Sequence, residues 1–334
     1  MKFDFAIGNP PYQEDRQGNS NTALPVYHQF MEAAYSVSNA TELITPARFL
    51  FNAGRTPKDW NQKMLRDEHF KVMEYEADAS TVFSNTDIKG GVAITYRDKA
   101  KKYGAIETFT IHEEINGVLR KIHPCIEKSG AISNIAFVAS KFNTSSLFRD
   151  YPQYDGHERR MSSNILECEC FHENRDIDDI LIYGIYKGKR CGRFINKKYV
   201  DMTDKQIEQY KIITPKADGN GTFGDKLTNP EILKPMTGFT HTFLGVASFE
   251  REQEALSALK YIKTKFARTL LSVLKITQDL NADKWKYVPL QDFTDKSDID
   301  WSVSISNIDK QLYKKYGLSE EEIAFIENNV KEME

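Results

Sequence analysis

Apolar and polar positions repeat with two different periods along this chain, and the switches between them mark its organisation. Residues 1–8, M-K-F-D-F-A-I-G, predict a short buried strand that ends on Gly8 and runs straight into N-P-P-Y at Asn9 to Tyr12. A polar loop, Q-E-D-R-Q-G-N-S-N-T, leads to Pro25, which opens a helix whose Val26, Phe30, Ala33 and Val37 recur at three and four residues. E-L-I-T-P at 42–46 predicts a second strand, and a helical segment follows around Trp60 to Arg66. F-K-V-M-E-Y-E at 70–76 and G-G-V-A-I-T-Y at 90–96 predict two more strands, joined by a loop that contains Phe83 and Lys89. Strands alternating with helices over the first 110 residues make an α/β unit.

Beyond residue 112 the pattern is less regular. It predicts a helix near 112–128, a loop rich in Tyr, Gly and Arg at 151–160, and hairpin strands around Ile180 to Ile195. Residues 250–277 predict one long helix with Ala255, Leu259, Ile262, Phe266, Leu270 and Val273 on a single stripe. Lys260, Lys263 and Arg268 then belong to its solvated face. After Trp301, Ile305, Ile308 and Leu312 share one helical face, Gly317 ends that helix, and Ser319 with Glu322 forms a capping box for the last one. The expected divisions are 1–112, 113–300 and 301–334.

Composition narrows the class. The 334 residues are 40% hydrophobic and 28% charged with a net charge of -3, which describes a globular protein whose nucleic-acid surface, if it has one, is a local patch. Four cysteines are too few for a disulfide framework, so a reducing cytoplasm is the expected compartment. Asp4 and Asn9 interrupt the apolar start, and no window approaches 18 apolar residues, so neither a signal peptide nor a membrane span is expected.

N-P-P-Y carries the sharpest chemistry. The exocyclic amine of adenine is a poor nucleophile because its lone pair is delocalised into the ring. Two acceptors aimed at its two N–H bonds pull the nitrogen toward a pyramidal geometry. The Asn9 side-chain oxygen and the Pro10 carbonyl are such a pair. Pro10 and Pro11 hold that carbonyl rigidly and add no competing N–H. Tyr12 offers a flat face for an extruded base, since the amine is out of reach inside a stacked duplex.

F-D-F-A-I-G-N-P-P-Y resembles motif IV of the amino-methyltransferases. The whole chain resembles the gamma-class adenine-N6 DNA methyltransferases of bacterial restriction-modification systems, the type with methylase and target-recognition regions fused. L-I-T-P-A-R-F-L at 43–50 is similar to the next family block, and V-F-S-N-T-D-I-K-G-G-V-A-I-T at 82–95 to the strand-loop-strand that closes the base pocket. I-T-P-K-A-D-G-N-G-T-F-G, Y-I-K-T-K-F-A-R and W-K-Y-V-P-L-Q-D-F are similar to the target-recognition region. The resemblance implies catalytic roles for Asn9, Pro10, Pro11 and Tyr12, S-adenosylmethionine as cofactor, double-stranded DNA as partner and no metal. It implies an α/β fold: a partial Rossmann-like methyltransferase domain followed by an α+β target-recognition domain with a helical C-terminus. Such enzymes carry a glycine-rich cofactor strand-turn upstream of N-P-P-Y, and only eight residues stand there in this sequence. The cofactor-binding residues are therefore unknown, and a partner chain or second copy is expected at the open sheet edge beside residues 3–7. Two alternatives stay open: a non-catalytic DNA-binding specificity or decoy protein, and an RNA or protein amino-methyltransferase.

Several smaller signals accompany the motif. Lys187, Lys189, Arg190, Arg193, Lys197 and Lys198 flank a turn at Gly188 with no acid among them, as a phosphate-tracking hairpin would. Arg159 and Arg160 are a second candidate for DNA contact. Gly219 to Gly224 matches G-x-G-x-x-G, but Pro230 and Pro235 deny it a following helix, which makes it a loop of the recognition region. Cys168, Cys170 and His172 alternate as on one face of a packed strand rather than as a zinc knuckle.

Overall fold

The computed structural model describes residues 3–14, 24–52, 54–83, 88, 90–219, 221–275 and 278–333. The chain divides into two units, Met1–Asn116 and Gly117–Glu334. Among the described residues, no helix is long and apolar enough to cross a membrane.

The first unit is a mixed α/β layer. Its sheet contains β1 (Phe3–Gly8), β2 (Ser38–Pro46), β3 (Phe70–Glu76) and β4 (Val92–Asp98) in the order β1-β2-β4-β3. β1 runs parallel to β2, with α1 (Tyr27–Val37) as the crossover between them; β2 and β3 both pair antiparallel with β4. α2 (Lys58–Arg66) follows β2, and its Trp60, Met64 and Leu65 join Leu43, Phe49 and Phe70 in the core. The buried face of α1 differs from the expected one. Tyr27, Met31 and Tyr35, spaced i, i+4, i+8, face the core, while Phe30, Ala33 and Val37 are exposed. The larger rings win the core side: Tyr27 packs edge-on against Trp60, and Tyr35 lies under the Arg97 guanidinium at 5.1 Å.

The second unit begins just after the first turn of α3 (Glu113–Ser129) and continues through α4 (Thr144–Asp150). β5 (Asp179–Tyr186) and β6 (Lys189–Asn196) form a hairpin across Lys187 and Gly188. Both turn residues have positive φ, 49° and 77°, which suits the tight two-residue connection. β7 (Tyr210–Pro215), β8 (Glu231–Leu233), β9 (Thr237–Phe239) and β10 (Phe243–Phe249) complete two three-stranded sheets, β6-β5-β9 and β10-β7-β8.

The long helix expected over 250–277 is two, α5 (Glu252–Lys263) and α6 (Lys265–Ser272). Thr264 breaks it with an extended backbone, and its hydroxyl caps α6 by accepting from Ala267 N–H at 3.1 Å. α7 (Ile305–Lys315) and α8 (Glu320–Asn329) belong to this same unit rather than standing apart over 301–334. Asp309 of α7 caps α6, accepting from Lys265 and Phe266 N–H at 3.0 and 2.8 Å. Gly317 ends α7 at φ 61°, and Ser319 with Glu322 forms the capping box of α8.

The solvated cationic face expected on α5 and α6 does not exist for Lys260 and Arg268. Lys260 Nζ donates to the carbonyls of Trp301, Ser302 and Val303. Arg268 is 1% exposed and donates to the carbonyls of Lys263, Gly224, Asp225 and Lys331. Both staple irregular chain to the helices, which satisfies carbonyls that water cannot reach. Residues 168–170 are also not strand: a single 3-10 turn at Ile165–Glu167 leads into further turns, and only His172 bridges to Phe194.

Candidate functional site

The parallel pair β1 and β2 fixes where the site lies. Both strands end on the same side of the sheet, β1 at Gly8 and β2 at Pro46, and β4, running the other way, starts there at Val92 opposite Pro46. β3 ends there too, with Glu76 opposite Val92. Asn9 to Tyr12, Ala47 onward, Ala77 to Phe83 and Gly90 to Gly91 therefore gather at one end, the carboxyl end of β1 and β2, where open α/β sheets bind ligands. Ala47 N–H donates to the Gly91 carbonyl at 3.0 Å. Gly91 has φ 74°, and a Cβ there would lie 2.2 Å from the Glu76 carbonyl oxygen, so only glycine lets β3 and β4 close this end.

Asn9 and Pro11 are exposed, and Pro10 and Tyr12 are half-buried. Tyr12 is held by its backbone: its carbonyl accepts from Val26 N–H at 3.2 Å, Glu14 N–H donates to Leu24, and Gln13 bridges Pro25. Those contacts pin the two ends of the polar loop, whose residues 15–23 lie outside the described residues. The Tyr12 ring packs against the first unit's core. Burial pushes its phenol up to about 12, and its hydroxyl finds no hydrogen-bond partner among the described residues.

Phe83 completes the aromatic pair, a role that sequence reasoning missed although it named the residue. Its ring meets Tyr12 edge-on, with centroids 6.3 Å apart and planes at 75°. A 3-10 turn at Ala79–Thr81 positions it: Asp78 caps the turn by accepting from Ser80 N–H at 3.0 Å, and Phe83 N–H donates to the Ala79 carbonyl at 2.9 Å. The signal available in sequence was an exposed-type loop carrying a lone large aromatic between two strands. Lys89 and residues 84–87 of that loop lie outside the described residues.

The expected strand is present but not buried: among the described residues β1 is the edge of its sheet, so its apolar side chains have no layer to pack against. Phe3, Phe5 and Ile7 are 51%, 47% and 74% exposed, and Leu24, Phe30 and Val37 of the following loop and helix are exposed as well. Soluble proteins usually cover such an edge.

In the second unit the predicted cations separate into distinct settings. Arg159, Lys197 and Lys198 come together around an open depression of about 670 Å³, shared with Asn143, Thr144 and Ser145. Each is paired: Arg159 with Asp201 at 2.6 Å, Lys197 with Asp178 at 2.8 Å, Lys198 with Asp150 at 2.9 Å. Arg160 turns the other way, to Glu158 at 2.7 Å. Arg190 reaches Glu231 at 4.0 Å and lies over Phe243. Arg193 is folded inward, donating to the Phe171 carbonyl at 2.8 Å and stacking over Tyr186, so it is a structural group of the hairpin. Lys187 and Lys189 at the hairpin tip are exposed, Lys187 over the Tyr186 ring. No acid among the described residues lies within ion-pair distance of either. The hairpin therefore offers two unpaired cations at its tip where six were expected along it.

His172, Asp176 and Asp179 bring possible metal-ligating atoms within 4.8 Å of one another. One Asp179 oxygen already accepts from Asp176 N–H at 2.7 Å and meets His172 Nε2 at 2.5 Å, so the cluster closes a loop as a His–Asp pair. Gly224 of the G-x-G-x-x-G stretch is packed shut. A Cβ there would lie 2.4 Å from the Asn329 carbonyl oxygen, its N–H donates to Ser272, and its carbonyl accepts from Lys331. Asn220 of that stretch lies outside the described residues.

Residues 1–83 match the family model described as Eco57I restriction-modification methylase. An uncharacterized adenine-specific methylase of Mycoplasma pneumoniae is 30% identical over 95 residues, which make up 28% of this chain and 22% of that protein. The chain thus spans less than a quarter of the curated relative's length. A solved type IIG restriction endonuclease, BpuSI, superposes on 92% of this chain and 48% of its own at 10% identity, with a TM-score of 0.32, too loose to bear on the fold. The stretch that matches the restriction-modification methylase family is the one that carries Asn9 to Tyr12 and ends on Phe83.

Proposed function

We propose that this chain is the base-binding and target-recognition part of a site-specific DNA adenine-N6 methyltransferase of a restriction-modification system, with S-adenosylmethionine as methyl donor. The observation that carries it is the juxtaposition of exposed Asn9, Pro10 and the Tyr12–Phe83 pair at the carboxyl end of β1, inside the family-matched segment. Asn9 Oδ1 and the Pro10 carbonyl accept from the two N–H groups of a flipped adenine amine and turn its lone pair outward. Pro11 keeps that carbonyl fixed, and Tyr12 supplies the stacking face. Two parallel rings need about 7 Å between their planes to hold a base, twice the optimal carbon contact. The edge-on Phe83 must therefore swing before it can form the second wall.

The described residues do not fit the donor. Gly224 of the G-x-G-x-x-G stretch is sealed against Asn329 and Val330, and among the described residues β1 is the edge of the first unit's sheet. The exposed Phe3, Phe5 and Ile7 of β1 suit a covering element, and a partner chain or second copy pairing along that edge would extend the layer into a Rossmann-like sheet. In an enzyme reconstituted with that element, Asn9→Ala should lower methyl transfer by a factor on the order of 10² or more while duplex affinity stays within a few fold, by analogy with deleting one preorganised polar contact. Near-normal turnover by Asn9→Ala would refute the assignment. A second reading, a DNA-binding specificity protein without catalysis, is favoured by the way Gly224 of the G-x-G-x-x-G stretch is packed against Asn329 and Val330. It is separated by asking whether any reconstituted complex transfers methyl at all.

A further inference from the structure

We infer that Arg160, Lys216 and His241 form a notch in the second unit that holds one backbone phosphate of the bound nucleic acid; the inference rests on the DNA reading above. Lys216 directly follows β7, and its backbone is gripped on both sides: its N–H donates to the Thr242 carbonyl at 2.9 Å and its carbonyl accepts from Leu280 N–H at 2.8 Å. His241 lies in the turn between β9 and β10, with its N–H donating to the Met161 carbonyl at 2.8 Å. That last bond sets Arg160, the residue before Met161, beside it. Lys216 Nζ and His241 Nε2 are 2.6 Å apart, and both residues are half-buried.

Lys216 and His241 meet on built backbone and the Arg160 charge acts on both, so an anion placed there would face three basic groups. Burial lowers the Lys216 and His241 pKa values, and neighbouring charge lowers them further, from Arg160 on Lys216 and from Lys216 and then Arg160 on His241. The acids that face the notch are Glu158, already engaged by Arg160, and Asp279, whose field acts on Lys216. With Lys216 charged and donating, His241 accepts on Nε2 as the neutral ring. A phosphate supplies several acceptor oxygens at once: Arg160, whose Nη2 is held by Glu158, offers its remaining N–H groups to one, Lys216 takes another, and His241 gains a proton and becomes a donor. Such a contact fixes register on the duplex without reading its sequence.

The test uses the full chain and a fluorescent duplex, with affinity measured against salt for wild type, Lys216→Met and His241→Gln. Met keeps the apolar stem of Lys216, and thermal melting of both variants checks that they fold. Loss of one phosphate contact should flatten the slope of log affinity against log salt by about 0.9 in Lys216→Met. In parallel, NMR of the His241 ring, assigned by its loss in His241→Gln, should show the midpoint of protonation moving to higher pH when duplex is added. A wild-type slope in a folded Lys216→Met, or a His241 midpoint indifferent to duplex, would overturn the notch while leaving DNA binding intact. Failure of wild type to bind duplex under any salt would instead remove the DNA reading. A His241 response to inorganic phosphate alone, with none to duplex, would overturn the assignment to nucleic acid.

Discussion

The two units treat their chemistry-bearing side chains in opposite ways. At the carboxyl end of β1 the candidate groups are left open: Asn9 is exposed, and among the described residues the Tyr12 hydroxyl lacks a partner and β1 is the sheet edge. In the second unit most candidate cations are already spent on the protein. Arg159, Lys197 and Lys198 sit against aspartates, Arg193 holds a carbonyl, and Arg268 holds four. Unsatisfied polar groups cost stability, so they persist where a ligand or partner completes them. A basic residue count alone says nothing of this kind, because a paired cation must give up its aspartate before it can take a phosphate.

The sharpest break of that contrast is Arg268, since it tests whether a cation of the second unit is structural to the point of holding the fold. Arg268→Met leaves the carbonyls of Gly224, Asp225, Lys263 and Lys331 without their donor and should cost about 3 kcal/mol in denaturant unfolding. Arg159→Met removes a pair whose arginine is exposed and whose Asp201 keeps its bonds from Thr203, and should cost about 1 kcal/mol. Equal costs would mean that burial does not distinguish the two.

A smaller effect separates the two rings of the candidate base site. Tyr12→Ala should weaken capture of an extruded base by about 1–3 kcal/mol, and Tyr12→Phe should retain most of it, because the ring face does the stacking. Phe83→Ala should cost less than Tyr12→Ala, since Phe83 meets Tyr12 by its edge and must move to contribute. Fluorescence of 2-aminopurine at the target position reads this directly. A larger loss from Phe83→Ala would make Phe83 the primary platform.

How much of this was legible in sequence follows the same division. The β1 strand, N-P-P-Y, the hairpin turn at Gly188 and the α8 capping box are local patterns, each set by residues a few positions apart, and the structure contains them. The fate of Arg268 depends on residues 224–225 and 331, far away in sequence, so helical spacing alone put it on a solvated face. One local signal was available. Phe266 to Leu271 are all buried, and F-A-R-T-L-L is too apolar all round for a helix with a wet side. The break at Thr264 is hidden in sequence because the apolar stripe from Ala255 to Val273 runs through it. In α1 two stripes competed, and only packing against Trp60 and Arg97 chose the Tyr27–Met31–Tyr35 face.

Asp309 gives a pH signature confined to the second unit. Burial raises its carboxyl to about 6 from an ordinary 3.8, although two backbone N–H groups and the Arg268 charge pull it down. The folded state therefore binds more protons than the unfolded one between those values. Its contribution to stability is fully present below about 3.8 and is lost as pH rises through about 6. The stability of wild type minus that of Asp309→Asn should thus fall by on the order of 1–2 kcal/mol from pH 4 to pH 7. A difference that rises over this range would reverse the assignment of burial as the dominant cause.

The finest division lies within the basic surface itself. Lys187 and Lys189 stand at the hairpin tip with no acid in reach among the described residues, whereas Lys197 and Lys198, a few residues away on the same element's flank, hold Asp178 and Asp150. If free cations meet phosphates, Lys187→Ala and Lys189→Ala should each flatten the slope of log duplex affinity against log salt by about 0.9. Lys197→Ala and Lys198→Ala should change it less, because each lysine is already neutralised by its aspartate and displaces fewer counterions from the duplex. The order matters more than the size. Larger slope changes at Lys197 and Lys198 than at the tip would mean that duplex binding opens the aspartate pairs, and would move the DNA path from the tip to the depression that Arg159 lines.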